Sequence, residues 1–184
     1  MERKTLLSVE QFQQLARPTS AHLEEEDVLA YIRECEDEYI IPAIGYGNFK
    51  AALGLSDWDD TIKESFDSDL FTNGGEWSAE VVNENGNKHN KQYYCCGLRK
   101  ALSYFAYAKI LRADGTILSR AGTMRHRDDY SDHIDEPKLK QYNDVMGMAE
   151  RYISDCLSYL KANVKSKMIA PVRGTRARIH AIGD

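Results

Sequence analysis

The segment from Gly97 to Arg112 reads GLRKALSYFAYAKILR and predicts the central helix of the fold. Its apolar residues cover two different faces, with Leu98, Leu102 and Phe105 on one and Tyr104, Tyr107 and Leu111 on another. A helix that is apolar on nearly every side is usually buried. We therefore expect this helix to lie inside a body made of other helices.

A long amphipathic helix is predicted after it, from about Pro137 to Asn163. Asp135 is a plausible N-cap residue, and Pro137 suits the first turn of a helix. The apolar stripe repeats at alternating steps of three and four residues, at Leu139, Tyr142, Met146, Ala149, Ile153, Cys156 and Leu160. Such spacing is typical of a helix that packs nearly parallel to its neighbours.

Shorter helices are predicted at the N-terminal end of the chain. Ser8 with Gln11 three residues later is a capping-box pattern, which predicts a helix over Ser8–Ala16. A second, acidic helix is expected over Leu23–Ile41, with Ile41-Pro42 ending it. A third, short helix is expected within residues 41–55, although two glycines weaken it.

Two polar regions separate these helices. In residues 54–92, Asn73-Gly74 and Asn85-Gly86 are turn dipeptides, and a weak strand over Glu76–Val82 lies between them. We expect an inserted loop or small hairpin there. The segment Thr116–Tyr130, TILSRAGTMRHRDDY, bends at Gly122 and is predicted to be either one bulged strand or a tight hairpin.

The predicted fold class is therefore mainly α. We expect a bundle of about four to five helices, with a projecting β-hairpin or extended loop near residues 116–127. Residues 1–165 are expected to form a single helical domain. Residues 166–184, called the basic arm below, lack helical periodicity and contain Pro171 and Gly174, which indicates an extended segment.

The net charge of −5 conceals an asymmetry along the chain. From residue 161 onward the cations Lys161, Lys165, Lys167, Arg173, Arg176 and Arg178 face only Asp184. The remainder is strongly acidic, most densely over Glu24–Glu38. Such a basic end can bind nucleic acid, an acidic partner, or an acidic patch on another copy of the chain.

The sequence predicts an intracellular protein without a membrane segment. No stretch approaches the roughly 18 apolar residues that cross a bilayer. The first residues, MERKTLLSVEQF, lack the apolar core of a secretory signal. The four cysteines form no C-x-x-C pair, which suits neither a zinc site nor a disulfide framework.

No enzymatic motif stands out. His126, Asp129 and His133 have the residue types of a metal-dependent hydrolase, but the two histidines are seven residues apart in a loop. Asp59-Asp60 and Asp128-Asp129 are carboxylate pairs that could do acid–base chemistry, but such pairs are common in loops and helix caps. We therefore expect a protein that is not an enzyme and holds no cofactor and no metal.

The arginines of the segment Thr116–Tyr130, called the polar excursion below, allow two interpretations. Arg120, Arg125 and Arg127, followed by Tyr130, could hold the phosphates of a nucleic acid. They could also contact carboxylates on a neighbouring copy in a self-assembled ring. We favour assembly, because the acidic second helix would repel DNA.

The layout resembles that of a known family. The residues that carry the likeness are Gly97–Tyr104, the segment Thr116–Met124 with Ala121-Gly122, the pair Tyr130-Ser131 and the final helix. In these features the chain is similar to the head–tail connector, or head-completion adaptor, proteins of tailed bacteriophages and prophages.

The resemblance implies a structural virion-assembly protein, located in the bacterial cytoplasm during assembly and then in the virion. It implies a homo-oligomeric ring that joins portal to tail, forms on the portal, and passes DNA without chemistry. The candidate interface residues are Arg120, Arg125, Arg127, Tyr130, Arg173, Arg176 and Arg178. The alternative is a nucleic-acid-binding module that uses the basic arm.

Overall fold

The computed structural model describes residues 3–17, 24–82, 87–113, 116–119, 122–125 and 135–165. The chain is mainly helical, as expected, with two antiparallel hairpins in the described part. In chain order the elements are α1 (Val9–Leu15), α2 (Glu25–Cys35), a π-helical turn (Glu36–Ile40), α3 (Ile41–Ile44), α4 (Tyr46–Ala52), α5 (Ser68–Asn73), β1 (Gly75–Val82), β2 (Lys88–Cys95), α6 (Leu98–Ala113), β3 (Thr116–Ser119), β4 (Gly122–Arg125) and α7 (Asp135–Ala162).

Helix α6 is the buried centre of the fold, as its sequence predicts. Nine of its sixteen residues are buried, including Leu98 and Leu102. It packs along α7, where Val145 and Ala149 are fully buried. On its other side Phe105 stacks on Tyr39 of the π-helical turn, with ring centroids 4.4 Å apart. The core therefore lies between α6, α7 and the acidic helix.

The expected break at Ile41-Pro42 is wrong. The helical path continues from α2 through the π-helical turn into α3 and ends at Gly45, which has a φ of 82°. Proline lacks an N–H and cannot continue an ordinary α-helical ladder. Here the N–H of Ile41 donates to the carbonyl of Glu36, five residues back, so the ladder changes register just before Pro42.

The first helix agrees closely with its sequence signal. The side chain of Ser8 accepts a hydrogen bond from the N–H of Gln11, and the side chain of Gln11 accepts one from the N–H of Ser8. Leu7 and Phe12 are fully buried and attach this short helix to the core. The capping box therefore sets where α1 begins.

The region 54–92 is more structured than its sequence predicts. The expected strand is β1, which pairs with β2 in register from Gly75 opposite Cys95 to Val82 opposite Lys88. Helix α5 was not expected. It is capped by Asp67, whose carboxylate accepts the N–H groups of Asp69 and Leu70.

The second hairpin lies where the polar excursion was expected, between α6 and α7. Strands β3 and β4 pair antiparallel from Thr116 opposite Arg125 to Ser119 opposite Gly122. Of the two sequence interpretations, the tight hairpin is therefore the one that the structure has, rather than one bulged strand.

Helix α7 has nearly the predicted length, but it begins at Asp135 itself. After it ends at Ala162, Val164 forms an antiparallel bridge with Ile62, and the N–H of Lys165 donates to the carbonyl of Thr61. The basic arm lies outside the described residues. Within the described ranges, no helix is both long and apolar enough to cross a membrane.

Candidate functional site

One face of the β1–β2 hairpin is turned toward the C-terminal turns of α7. Successive side chains of a strand point to opposite faces. On β1, Trp77 and Ala79 are half-buried, while their neighbours Ser78 and Glu80 are exposed. Trp77 stacks on Tyr93 across the hairpin at 4.7 Å and meets Tyr159 of α7 edge-on at 5.3 Å. Aromatic contacts therefore join the hairpin to the helix.

Beside these contacts the hairpin and α7 enclose open space. Two adjacent spaces of about 650 and 470 Å³ share the lining residues Trp77, Ala79 and Ala162. We call them together the hairpin–α7 groove. The groove is also lined by Tyr93, Tyr94, Asp155, Ser158, Lys63, Glu80 and Asn163.

Most charges in the groove are already engaged. Lys63 Nζ donates to the carbonyl of Ala162 at 2.6 Å, and Glu80 forms an ion pair with Lys88 at 3.0 Å. Asp155 differs, because no cation of the described residues lies within ion-pair distance of its carboxylate. Partial burial raises the pKa of Asp155, and the positive charge of Arg151 opposes that shift.

The base of the hairpin is held by close backbone packing. Gly74 and Gly97 both adopt positive φ angles, of 96° and 85°. A Cβ atom on Gly97 would lie 2.5 Å from the backbone of Asn73 and Gly74. Two glycines thus let the chain that enters β1 pass directly over the chain that leaves β2.

A second charged cluster covers the acidic helix. Lys109 of α6 donates hydrogen bonds to Glu34 and Glu38, and Arg3 pairs with Asp37 at 2.7 Å. Burial opposes the charge on Lys109, but its hydrogen bonds to the two carboxylates prevail and raise its pKa. These pairs attach the acidic helix to the core.

Glu36 is a buried acid in the π-helical turn. One of its oxygens accepts the N–H of Leu6 at 2.7 Å, and the other accepts from Arg3 at 3.3 Å. Burial raises the pKa of this carboxyl, while the Leu6 N–H and the Arg3 charge counteract the shift. The side chain joins the N-terminal segment to the acidic helix and lies away from open space.

Of the candidate interface residues predicted from the sequence, the structure describes only Arg125. Arg125 ends β4 with its backbone opposite Thr116. The other candidates lie outside the described residues: Arg120, Arg127, Tyr130, Arg173, Arg176 and Arg178. The described part of the chain therefore brings none of these side chains together.

The metal-site alternative also falls on residues that are not described, since His126, Asp129 and His133 all lie within 126–134. In the ranges that the structure covers, no three His, Cys, Asp or Glu side chains are grouped closely enough to hold a metal ion. Asp59 of the earlier carboxylate pair accepts the N–H of Thr61 at 2.9 Å, as a turn residue does.

The groove itself was missed by reasoning from the sequence. Trp77 could be a core or a contact residue on sequence alone, and the structure leaves it half-buried at the groove. A signal was present, because Trp77, Ala79 and Val81 alternate with polar residues along the strand. What the alternation cannot give is the helix that this face meets.

Comparison with known proteins gives one family. The model of a family described as "Family of unknown function (DUF6712)" matches residues 49–167. This range holds 119 of the 184 residues and contains both hairpins, α6, α7 and the groove. It starts after the acidic helix and ends close to the beginning of the basic arm. No curated protein and no solved structure matches the chain.

Proposed function

The chain belongs to this family of unknown function (DUF6712), and we propose that it is a structural head–tail connector subunit. In this role copies form a ring that joins the portal to the tail of a tailed bacteriophage or prophage. DNA passes through the ring, and the protein itself performs no chemistry. It holds no cofactor, and it occupies the bacterial cytoplasm during assembly and then the virion.

The observation that supports this proposal best is the β3–β4 hairpin between α6 and α7. Within the described residues its two strands pair only with each other, so each leaves one edge of N–H and C=O groups unpaired. A two-stranded ribbon is marginally stable alone, and free strand edges readily pair with another chain. A ribbon inserted between core helices suits contact with a neighbour.

Charge distribution adds a second argument. The four carboxylates that begin the acidic helix, Glu24, Glu25, Glu26 and Asp27, are all exposed. The basic arm carries four cations against one carboxylate, a side-chain charge of +3, which leaves −8 for residues 1–165. Opposite charges at the two ends of one chain favour head-to-tail contact between copies, which forms a ring when the rotation between successive copies closes.

The test is assembly with a phage portal protein, taken from the genome that carries this gene if a portal gene lies there. Full-length protein is mixed with portal rings, and binding is followed by sedimentation and electron microscopy. We expect a ring of this chain on the portal. Charge reversal of Arg120, Arg125 and Arg127 to Glu should prevent assembly, whereas Lys140→Glu, at an exposed position on α7, should not. A protein that binds neither portal nor tail proteins would refute the proposal.

The same protein preparation distinguishes the alternative function, a nucleic-acid-binding module. Binding through the basic arm would weaken steeply with salt and would be lost when Arg173, Arg176 and Arg178 become alanine. DNA affinity with that behaviour, together with no affinity for the portal, would favour the alternative.

A further inference from the structure

The hairpin–α7 groove has the composition of a peptide-binding site. Its walls carry the rings of Trp77 and Tyr93. Aromatic side chains offer large apolar area with a polar tip, which is why they are enriched at contact surfaces. Within the same groove the exposed carboxylate of Asp155 forms no direct ion pair with the described residues, and the charge of Arg151, one helical turn away, acts on it only at longer range. A ligand that fits would present an apolar stretch followed by a positive charge.

The basic arm has that sequence. Residues 168–172 read MIAPV, an apolar stretch of five, and Arg173 follows directly. The basic arm as a whole carries a net side-chain charge of +3, opposite in sign to the charge of the rest of the chain. Pro171 has a fixed φ and disfavours the helical conformation at Ala170, which lowers the entropy that these two residues lose on binding in a groove.

The end of α7 shows that the arm starts by leaving the groove of its own subunit. Asn163 and Lys63 line the groove and are joined by a backbone hydrogen bond of 2.8 Å. Thr61 and Lys165, joined in the same way at 2.7 Å, do not line it. The chain therefore leaves the groove as it runs from Asn163 to Lys165. The remaining 19 residues span roughly 60 Å when extended, which is enough to reach a neighbouring subunit.

We propose that the hairpin–α7 groove binds the basic arm of a neighbouring copy of this chain. Met168–Val172 lies against Trp77 and Tyr93, and Arg173 pairs with Asp155. The inference rests on the proposed connector function, because it names one of the contacts between subunits of the ring.

Cross-linking between two full-length variants tests the contact. In a Cys96→Ser background, one population carries Ser158→Cys in the groove and the other, labelled with nitrogen-15, carries Val172→Cys in the arm. The two populations are mixed and oxidised with glutathione disulfide under two conditions. In the first the mixture contains only this protein at the highest attainable concentration, and in the second the portal protein is present. We expect disulfide-linked heterodimers. A control population with Asn143→Cys, exposed on α7 and roughly 22 Å from position 158 along the helix, should give few.

A charge exchange tests the ion pair within the same contact. Asp155→Arg and Arg173→Asp should each lower the yield of heterodimer by about tenfold, and the double variant should restore it. Restoration requires that the two positions meet, so it separates a specific pair from a general effect of net charge.

The outcomes separate this inference from the proposed function. Rings that assemble on the portal without the cross-link would overturn the groove contact and leave the connector role standing. A variant with both cysteines in one chain that forms only internally linked monomers would also overturn it, since the arm would then occupy its own groove. Cross-linked heterodimers without portal binding would support the contact and count against the connector.

Discussion

Cys95 and Cys156 meet inside the protein, with their Sγ atoms 3.6 Å apart. Cys95 is the last residue of β2, at the base of the β1–β2 hairpin, and Cys156 lies on α7. Both are fully buried. Their thiols share a hydrogen bond, which lowers the pKa of Cys95 and raises that of Cys156; burial adds to the rise at Cys156 and opposes the fall at Cys95. This contact ties the base of the hairpin to the final helix.

We expect mild oxidation to join these two cysteines. Glutathione disulfide would take two electrons and two protons from the thiol pair, and two molecules of glutathione would leave. Peptide mapping should show a link between positions 95 and 156, with two of the four thiols remaining. Cys156→Ser should abolish the link, while Cys35→Ser, at another buried cysteine, should keep it. A link from Cys96 instead would contradict the expectation.

The new bond would enclose a loop of about 60 residues and should stabilise the fold by up to roughly 4 kcal/mol. Because both thiols are buried, oxidation has to wait for local opening of the hairpin base. The reaction should therefore be slow, and its rate should rise in low urea before global unfolding begins.

Some of this architecture can be predicted from the sequence, because the signals are local. The apolar residues of α6 and α7 repeat over four turns or more, and the Ser8–Gln11 box fixes the start of α1. The position of the β3–β4 hairpin also follows from the sequence, since it lies between two strongly periodic segments.

The remaining features depend on contacts between distant segments. Continuation of the helix past Pro42 requires the π-helical turn, which no local pattern announces. Helix α5 has only six residues, too few for a periodic signal. The groove exists only because Trp77 pairs with Tyr93 and both meet α7 near Tyr159, more than sixty residues further along the chain.

Stability should depend on pH through Glu36. Its pKa is raised in the folded state above the ordinary value of 4.5, chiefly by burial, so the folded protein holds this proton more tightly than the unfolded chain. The stability that this carboxyl contributes is fully present below about pH 4.5 and is lost as the pH rises through its folded-state pKa. As the pH rises from about 4.5 through the folded-state pKa of Glu36, the native chain should become less stable relative to the Glu36→Gln variant.

Urea unfolding between about pH 3 and pH 8 measures this difference. Asp37→Asn is the matched control with the opposite sign, because Arg3 lowers the pKa of Asp37 below its ordinary value of 3.8. The contribution of Asp37 is present above pH 3.8 and lost as the pH falls through its folded-state pKa. A difference between native chain and Glu36→Gln that does not change with pH would contradict the expected role of Glu36.

Lys109 should stabilise the contact between α6 and the acidic helix. Lys109→Met removes its bonds to Glu34 and Glu38 and leaves those two carboxylates close together without their cation. Both carboxylates are about half exposed, so we expect a loss of about 1 kcal/mol, smaller at high salt. Chemical denaturation at low and high salt measures it. Lys140→Met, at an exposed position on α7, should change stability little.

The crossing of Gly74 and Gly97 should be the most sensitive backbone position in the described part of the chain. Gly97→Ala would place a Cβ atom 2.5 Å from the backbone of Asn73 and Gly74, at a φ of 85° that alanine rarely adopts. Backbone atoms cannot move aside as a flexible side chain can, so we expect a loss of about 2 kcal/mol or more. Thermal and urea unfolding measure this loss. Gly47→Ala is the control, because position 47 is helical with nothing within 4 Å of a new Cβ, and it should gain about 0.5 kcal/mol. Equal effects of the two substitutions would show that the crossing does not constrain the hairpin.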